Sequence, residues 1–144
     1  MKVMGTWDSG PFDNDTAADW CGDLHDAAPE ARAGMVRQAL QSAAESADYL
    51  DASEGCEAMA ATAIVAAECC GGPPVTSVYA PDFLVEGGRV GLSDDLVPLA
   101  LRALDRVLGE GSELRQLWEE ADGGRSLLAE AEPLRAALLR GAAG

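Results

Sequence analysis

The chain has 144 residues, 48% of them hydrophobic and 5% aromatic, and it carries 25 acidic against 10 basic side chains, a formal net charge of -15. This length fits a single domain, 1-144, that needs no disulfide or metal to fold, and the alanine-rich composition argues against a β-barrel or sandwich. The charge repels phosphates and anionic headgroups, so it disfavours nucleic acid and membrane surfaces and favours a basic partner protein.

The expected compartment follows from what the sequence lacks. The N-terminus shows no secretory signal pattern, and no stretch has the length and hydropathy of a membrane span. The four cysteines lack the C-x-x-C spacing of zinc and redox motifs, so we interpret them as reduced thiols. These features predict a cytoplasmic protein.

The first predicted elements are a loop and an amphipathic helix. Residues 5-14 form the loop, in which Gly and Pro set the turns and Trp7 and Phe12 anchor the loop to the domain. The helix is predicted over 15-28, with Asp13 or Asn14 as its N-cap. At about 100° per residue, one face is apolar and the other acidic: the first holds Ala17, Trp20, Cys21, Leu24 and Ala28, and the second Asp15, Asp19, Asp23 and Asp26.

Two longer helices follow. The second is predicted from Pro29 to about Leu50, because Val36, Leu40, Ala43, Ala47 and Leu50 recur every three or four positions, and Gly34 weakens it without ending it. The third, capped by Ser53, ends at the Gly-Gly-Pro-Pro sequence of 71-74. Apolar residues surround it almost completely, which predicts a central position in the bundle.

The second half is predicted as one long loop and three helices. The loop covers 71-92, within which 83-90 allows a hairpin. The helices run from a cap at Ser93 to Leu108, from a cap at Ser112 to Glu120, and from Ser126 to Leu139, where Pro133 should kink or restart the last one. The prediction is a mainly α protein: a compact bundle of five or six helices with an N-terminal aromatic loop, a long central loop and, as an option, a minor hairpin.

The acidic face of the first helix and the nearby aromatics are the candidate binding residues. Carboxylates three and four residues apart repel, so a divalent cation or a basic partner could offset the cost, whereas the simplest interpretation is a solvated face. The aromatic residues either form a lid over the bundle or line a pocket with Asp13 or Asp19 at its mouth. The candidate set is Trp7, Phe12, Asp13, Asp15, Asp19, Trp20 and Asp23.

Evidence for a cofactor or a catalytic motif is weak. Cys21 and His25 lie four residues apart and could supply half of a zinc or copper site. The further ligands would come from Cys56, Glu57, Glu68, Cys69 or Cys70. However, cysteines on apolar helix faces usually pack as small hydrophobes. The Gly-Gly pairs lack the spacing of phosphate-binding loops, and the acid pair Glu54/Glu57 does not identify a hydrolase. We therefore predict no cofactor, with a divalent metal as the alternative.

Several blocks of the sequence resemble one uncharacterised bacterial family. Residues 4-20, MGTWDSGPFDNDTAADW, are similar to the pattern G-x-W-G-x-G-P-F-x-N-D-x-A-x-D-W of domain-of-unknown-function family 4259, and 49-52, 60-73 and 112-120 resemble its later blocks. The resemblance covers about 4-140 and implies one complete domain without implying an activity. Asp8 replaces a glycine of that pattern, and Ala63 replaces an acidic residue of the central helix.

Three hypotheses for function remain open. The first is a non-enzymatic, acidic adaptor or immunity-type inhibitor that engages a basic partner protein. The second is a small metal-dependent enzyme or accessory protein that uses Asp13, Asp15, Asp19, Cys21 and His25. The third is a structural subunit, which would leave a large apolar patch exposed in the monomer.

Overall fold

A computed structural model of the chain describes residues 15-71, 90-93, 95-123 and 125-143. These residues form six helices: α1 (Asp15–Asp26), α2 (Pro29–Ala44), α3 (Ala52–Cys70), α4 (Leu96–Leu108), α5 (Glu113–Asp122) and α6 (Arg125–Ala143). The predicted mainly α bundle is confirmed. The N-terminal aromatic loop lies outside the described residues, and so do residues 72–89, which hold most of the predicted central loop and of the optional hairpin. None of the described helices combines the length and the hydropathy needed to cross a membrane.

Helix α3 lies at the centre of the bundle, as predicted. It packs against each of the five other helices, and every side chain from Cys56 to Ala66 except Glu57 is buried. Alanine is the commonest residue among them, and its small side chain lets neighbouring helices approach closely. Thr62 is fully buried in this stretch, and its hydroxyl has no hydrogen-bond partner in the described part of the chain.

Helix α1 is amphipathic in the predicted sense. Trp20, Cys21 and Leu24 are buried, and the acidic residues Asp19, Asp23 and Asp26 are exposed. The predicted end was two residues too late, because α1 ends at Asp26, and Ala28, expected on the apolar face, is exposed. Arg32 binds the last turn, where its guanidinium donates to the carbonyls of Leu24 at 3.0 Å and His25 at 2.7 Å.

The predicted end of α2 was wrong. The helix ends at Ala44, and Ala47, expected inward, is exposed. Leu50 is buried, but its backbone is not helical. Its N–H donates to the Gly111 carbonyl at 2.8 Å, and its own carbonyl accepts from the N–H of Glu113 at 2.9 Å. These two bonds form a short parallel bridge, and they replace the helical bonds that the periodicity had suggested.

Arg106 of α4 holds the two bridged segments together. Its guanidinium donates to the carbonyl of Ser46 at 3.2 Å and to the carbonyl of Asp48. It also donates to the carbonyls of Glu110 at 3.1 Å and Gly111 at 3.4 Å. One side chain on α4 therefore satisfies backbone acceptors before α3 and before α5, which explains why the chain leaves the helical path after Ala44.

Of the four predicted N-caps, the one at residues 13–14 lies outside the described residues, and one of the other three is correct. Ser112 caps α5, since its side chain accepts from the backbone N–H three residues later at 3.4 Å. Asp51, not Ser53, caps α3 in the same way at 2.8 Å. Asp95, not Ser93, occupies the N-cap position of α4, and its side chain makes no capping bond. At these last two starts a neighbouring aspartate takes the position predicted for serine.

Helix α6 is longer than predicted and passes through Pro133 without a restart. A proline removes one backbone donor and leaves the carbonyl four residues earlier without a helical partner. Here both Pro133 and Ala129, which carries that carbonyl, are exposed, so water can satisfy the freed group. The opposite face of α6 is buried through Leu127, Ala131, Leu134 and Leu138 in a bundle contact with α3, α4 and α5.

Candidate functional site

Two of the acidic side chains predicted for binding, those of Asp19 and Asp23, lie on the exposed side of α1. Asp19 and Asp23 are exposed, and Trp20, which lies between them in sequence, points to the other side and is 8% exposed. Asp15 is the first residue of the helix. Trp7, Phe12 and Asp13 lie outside the described residues, so the predicted aromatic pocket stays a prediction.

A groove of about 380 Å³ runs between α1, α2 and α3. Trp20 of α1 forms one side, and Glu57 of α3 forms another. The α2 side consists of residues at helical spacing, which share one face over about 16 Å: Ala31, Gly34, Met35, Gln38, Ala39 and Ser42. Because most of these α2 residues are small, the groove is an open space between three helices rather than a packed contact.

Glu57 is the one ionisable side chain among the residues that line this groove. It is half-buried, and burial raises the pKa of its carboxyl above the ordinary value of 4.5, with further raising contributions from Glu54, Asp51 and Asp23. Each of these contributions disfavours the charged form of Glu57. A cation placed beside this carboxylate would therefore relieve an unfavourable environment.

The carboxylates around Glu57 come from two helices and one cap. Glu54 precedes it by one turn of α3, and Asp51 is the N-cap of that helix. Asp23 reaches the same region from α1, which packs against α3. The acidic side of α1 therefore adds to the negative electrostatic potential around Glu57 in the groove.

The polar groups of the α2 wall add hydrogen-bond acceptors. The side-chain amide nitrogen of Gln38 donates to the Ser42 hydroxyl oxygen at 3.2 Å. That bond directs the amide donor to Ser42 and leaves the Gln38 carbonyl oxygen as an acceptor. An apolar wall from Trp20 and Met35, a carboxylate and an amide acceptor together suit a cationic side chain with an aliphatic stem.

The structure places the two residues predicted as half of a metal site in different environments. Cys21 is 1% exposed, and burial raises the pKa of its thiol to about 12, whereas His25 is exposed at the end of α1. The thiol therefore stays protonated at neutral pH, and the thiolate is the form that binds metals. The metal alternative has no test here and stays a prediction.

The further ligands proposed for that metal are spread along α3. Cys56 and Cys70 are separated by about 20 Å along the helix, at about 1.5 Å per residue, so both cannot bind one ion. Glu68 is engaged elsewhere, because its carboxylate accepts the N–H groups of Val90, of Gly91 at 3.3 Å and of Leu92 at 3.2 Å. In the four described ranges, no group of three or more His, Cys, Asp and Glu side chains is placed to hold a metal.

Sequence reasoning missed most of the groove. It treated Glu57 as one member of a surface acid pair and as a remote metal ligand, and it did not single out the α2 wall. A signal for that wall exists: Gly34, Gln38 and Ser42 are small or polar and lie on one side of α2, opposite the buried side that holds Val36 and Leu40. The periodicity of the α2 sequence indicates which residues share a face of that helix, but it does not indicate the space that α1, α2 and α3 leave between them.

Comparison with known proteins gives one match. A family profile described as a domain of unknown function, DUF4259, matches residues 5–130. No curated protein and no solved structure matches the chain significantly. The matched range covers α1 to α5 and the start of α6, so the groove lies entirely within the region that the profile describes.

Proposed function

We propose that this chain, which belongs to the family described as the domain of unknown function DUF4259, is a non-enzymatic binding protein that engages a basic partner protein. It acts as an adaptor or as an immunity-type inhibitor in the cytoplasm. The observation that carries the proposal is the half-buried Glu57 carboxylate in a groove, where the charged side chains that shift its pKa are all acidic. A lysine or arginine side chain of the partner occupies that groove.

The contacts proposed for the cationic side chain follow from the groove walls. Its aliphatic stem lies against Met35 and Ala39, and its charged end pairs with Glu57 near the ring of Trp20. The excess of acidic residues, a net charge of -15, attracts a basic partner over longer distances and speeds its approach. The groove supplies selectivity and the overall charge supplies the rate of association.

The test uses an octapeptide of alternating lysine and alanine as the probe, with the matching glutamate and alanine peptide as its control. We expect the lysine peptide, at low ionic strength, to shift the amide NMR signals of Gly34, Gln38 and Glu57 and the indole signal of Trp20. The glutamate peptide should shift none of them. Added salt should weaken binding, because exposed charge interactions are screened beyond about 8 Å at physiological ionic strength.

Two matched variants separate the groove from the general charge. Glu57→Gln and Glu110→Gln each remove one negative charge, but Glu110 is exposed in the turn before α5. We expect Glu57→Gln to weaken the lysine peptide at least threefold and Glu110→Gln to leave its affinity close to that of the wild type. Equal affinities in the two variants, with shifts spread evenly over the acidic surface, would overturn the assignment of the groove.

A further inference from the structure

The outer face of α6 carries two large apolar side chains that its own bundle leaves uncovered. Leu128 and Leu139 are each 51% exposed, although most leucines of the chain are buried. They are eleven residues apart, which is about three turns, so both lie on the same side of the helix. Tyr49, the other large exposed hydrophobic in the described part of the chain, has a polar contact, since its hydroxyl donates to Gln116 at 2.5 Å.

The residues around these leucines follow a coiled-coil spacing. Steps of three and four residues connect six positions that we call the α6 seam: Arg125, Leu128, Glu132, Arg135, Leu139 and Ala142. This alternation is the a and d pattern through which two helices pack side by side. Five of the six seam residues are exposed and Arg135 is half-buried, so the seam lies on an exposed flank of α6, about 100° around the helix from its buried face.

The seam is symmetric about its midpoint, between residues 133 and 134. If a second α6 packs against it in the antiparallel direction, Leu128 of one copy meets Leu139 of the other, and Glu132 meets Arg135. Each contact then occurs twice, as a twofold axis requires. A parallel arrangement would instead place Glu132 against Glu132 and Arg135 against Arg135, and like charges would oppose it.

We propose that two copies of this chain associate through antiparallel pairing of their α6 seams. Arg135 already contacts Asp105 of its own α4, but a guanidinium has five N–H donors and can bind a second carboxylate. The pairing is independent of the groove, which lies between α1, α2 and α3.

The association is weak. One helix pair of this length covers less surface than the roughly 800 Å² per partner of a typical stable interface. The net charge of -15 on each copy adds a repulsion, which salt reduces. We therefore expect a dimer that forms at a chain concentration on the order of 100 μM and dissociates on dilution.

The test is sedimentation equilibrium of the full chain between about 10 μM and 1 mM in 0.15 M salt. We expect a monomer–dimer equilibrium that Glu132→Arg and Arg135→Glu each weaken at least fivefold, because each places like charges opposite each other. An equimolar mixture of these two variants should associate more tightly than either variant alone, since positions 132 and 135 are then both positive in one variant and face positions 132 and 135 that are both negative in the other.

Arg115→Glu is the control, because it also reverses a half-buried arginine that forms one ion pair, in this case with Glu119 on α5. It should dimerise like the wild type, and circular dichroism should show that every variant keeps its helices. A chain that stays monomeric at 1 mM would refute the proposal. So would a dimer that responds equally to the seam variants and to the control, or a mixture that associates no better than its components.

Discussion

The buried hydroxyl of Thr62 gives the sharpest test of how the central helix packs. Thr62 is 0% exposed within α3, and its side-chain hydroxyl forms no hydrogen bond, as donor or as acceptor, with any group of the described residues. A buried polar group without a partner costs about 1–3 kcal/mol, because it loses its bonds to water and gains none in the fold. Valine has nearly the same shape and a similar helix propensity, so Thr62→Val should remove that cost alone.

We expect Thr62→Val to raise the free energy of unfolding by about 1–3 kcal/mol in urea titrations, with an unchanged m-value. The midpoint of thermal unfolding should rise by about 3 °C for each kcal/mol in a domain of this size. Thr62→Ser is the control: it keeps the hydroxyl and loses a methyl group, so it should destabilise by about 1 kcal/mol. A Thr62→Val protein less stable than the wild type would refute the reasoning, because the hydroxyl would then have a partner.

Three further predictions concern other parts of the bundle. Gly34→Ala should stabilise the protein by about 0.5–1 kcal/mol in urea titrations, because a Cβ at that position meets nothing within 4 Å. Gly55→Ala should instead destabilise the protein by about 1 kcal/mol, because its Cβ would lie 3.2 Å from a leucine Cβ of α5. A Gly34→Ala protein that is no more stable than the wild type would contradict the first of these predictions. Arg106→Met should cost about 2–3 kcal/mol through its lost bonds to backbone carbonyls, against less than about 0.5 kcal/mol for Arg115→Met, which removes one ion pair at the surface. Similar losses in the two variants would show that Arg106 does not hold the bridged segments together. Glu57→Gln should stabilise the protein at pH 7 but not below pH 4. Folding raises the pKa of Glu57 above its ordinary 4.5, so the wild type loses stability as the pH rises through the raised pKa and the carboxyl becomes charged. A stability difference between variant and wild type that does not depend on pH would exclude the Glu57 carboxyl as its cause.

The sequence predicted the elements better than their ends. Apolar spacing identified the six helices of the described residues, and the all-round apolar character of α3 correctly predicted its central position. The end of α2 could not be read this way, because the side chain that draws residues 46–48 away from the helix belongs to Arg106, some 60 positions later in the chain. Local pattern carries no information about a contact at that separation.

The candidate groove was beyond the sequence for a similar reason. Glu57 and Glu54 are recognisable in the sequence as an acid pair three residues apart, but the space beside Glu57 exists only because α1 and α2 both pack against α3. The raised pKa of Glu57 depends partly on Asp23, which lies on another helix. The acidic face of α1 was predictable, and its electrostatic link to α3 was not.

The pKa of Glu57 itself tests the proposed groove most directly. It can be followed through the side-chain carboxyl carbon signal in an NMR pH titration, with and without the lysine and alanine octapeptide. We expect a pKa above the ordinary value of 4.5 in the free protein and a fall when the peptide binds, because an ammonium group then stabilises the carboxylate. A Glu57 pKa at or below 4.5 that saturating peptide leaves unmoved would contradict the proposed groove.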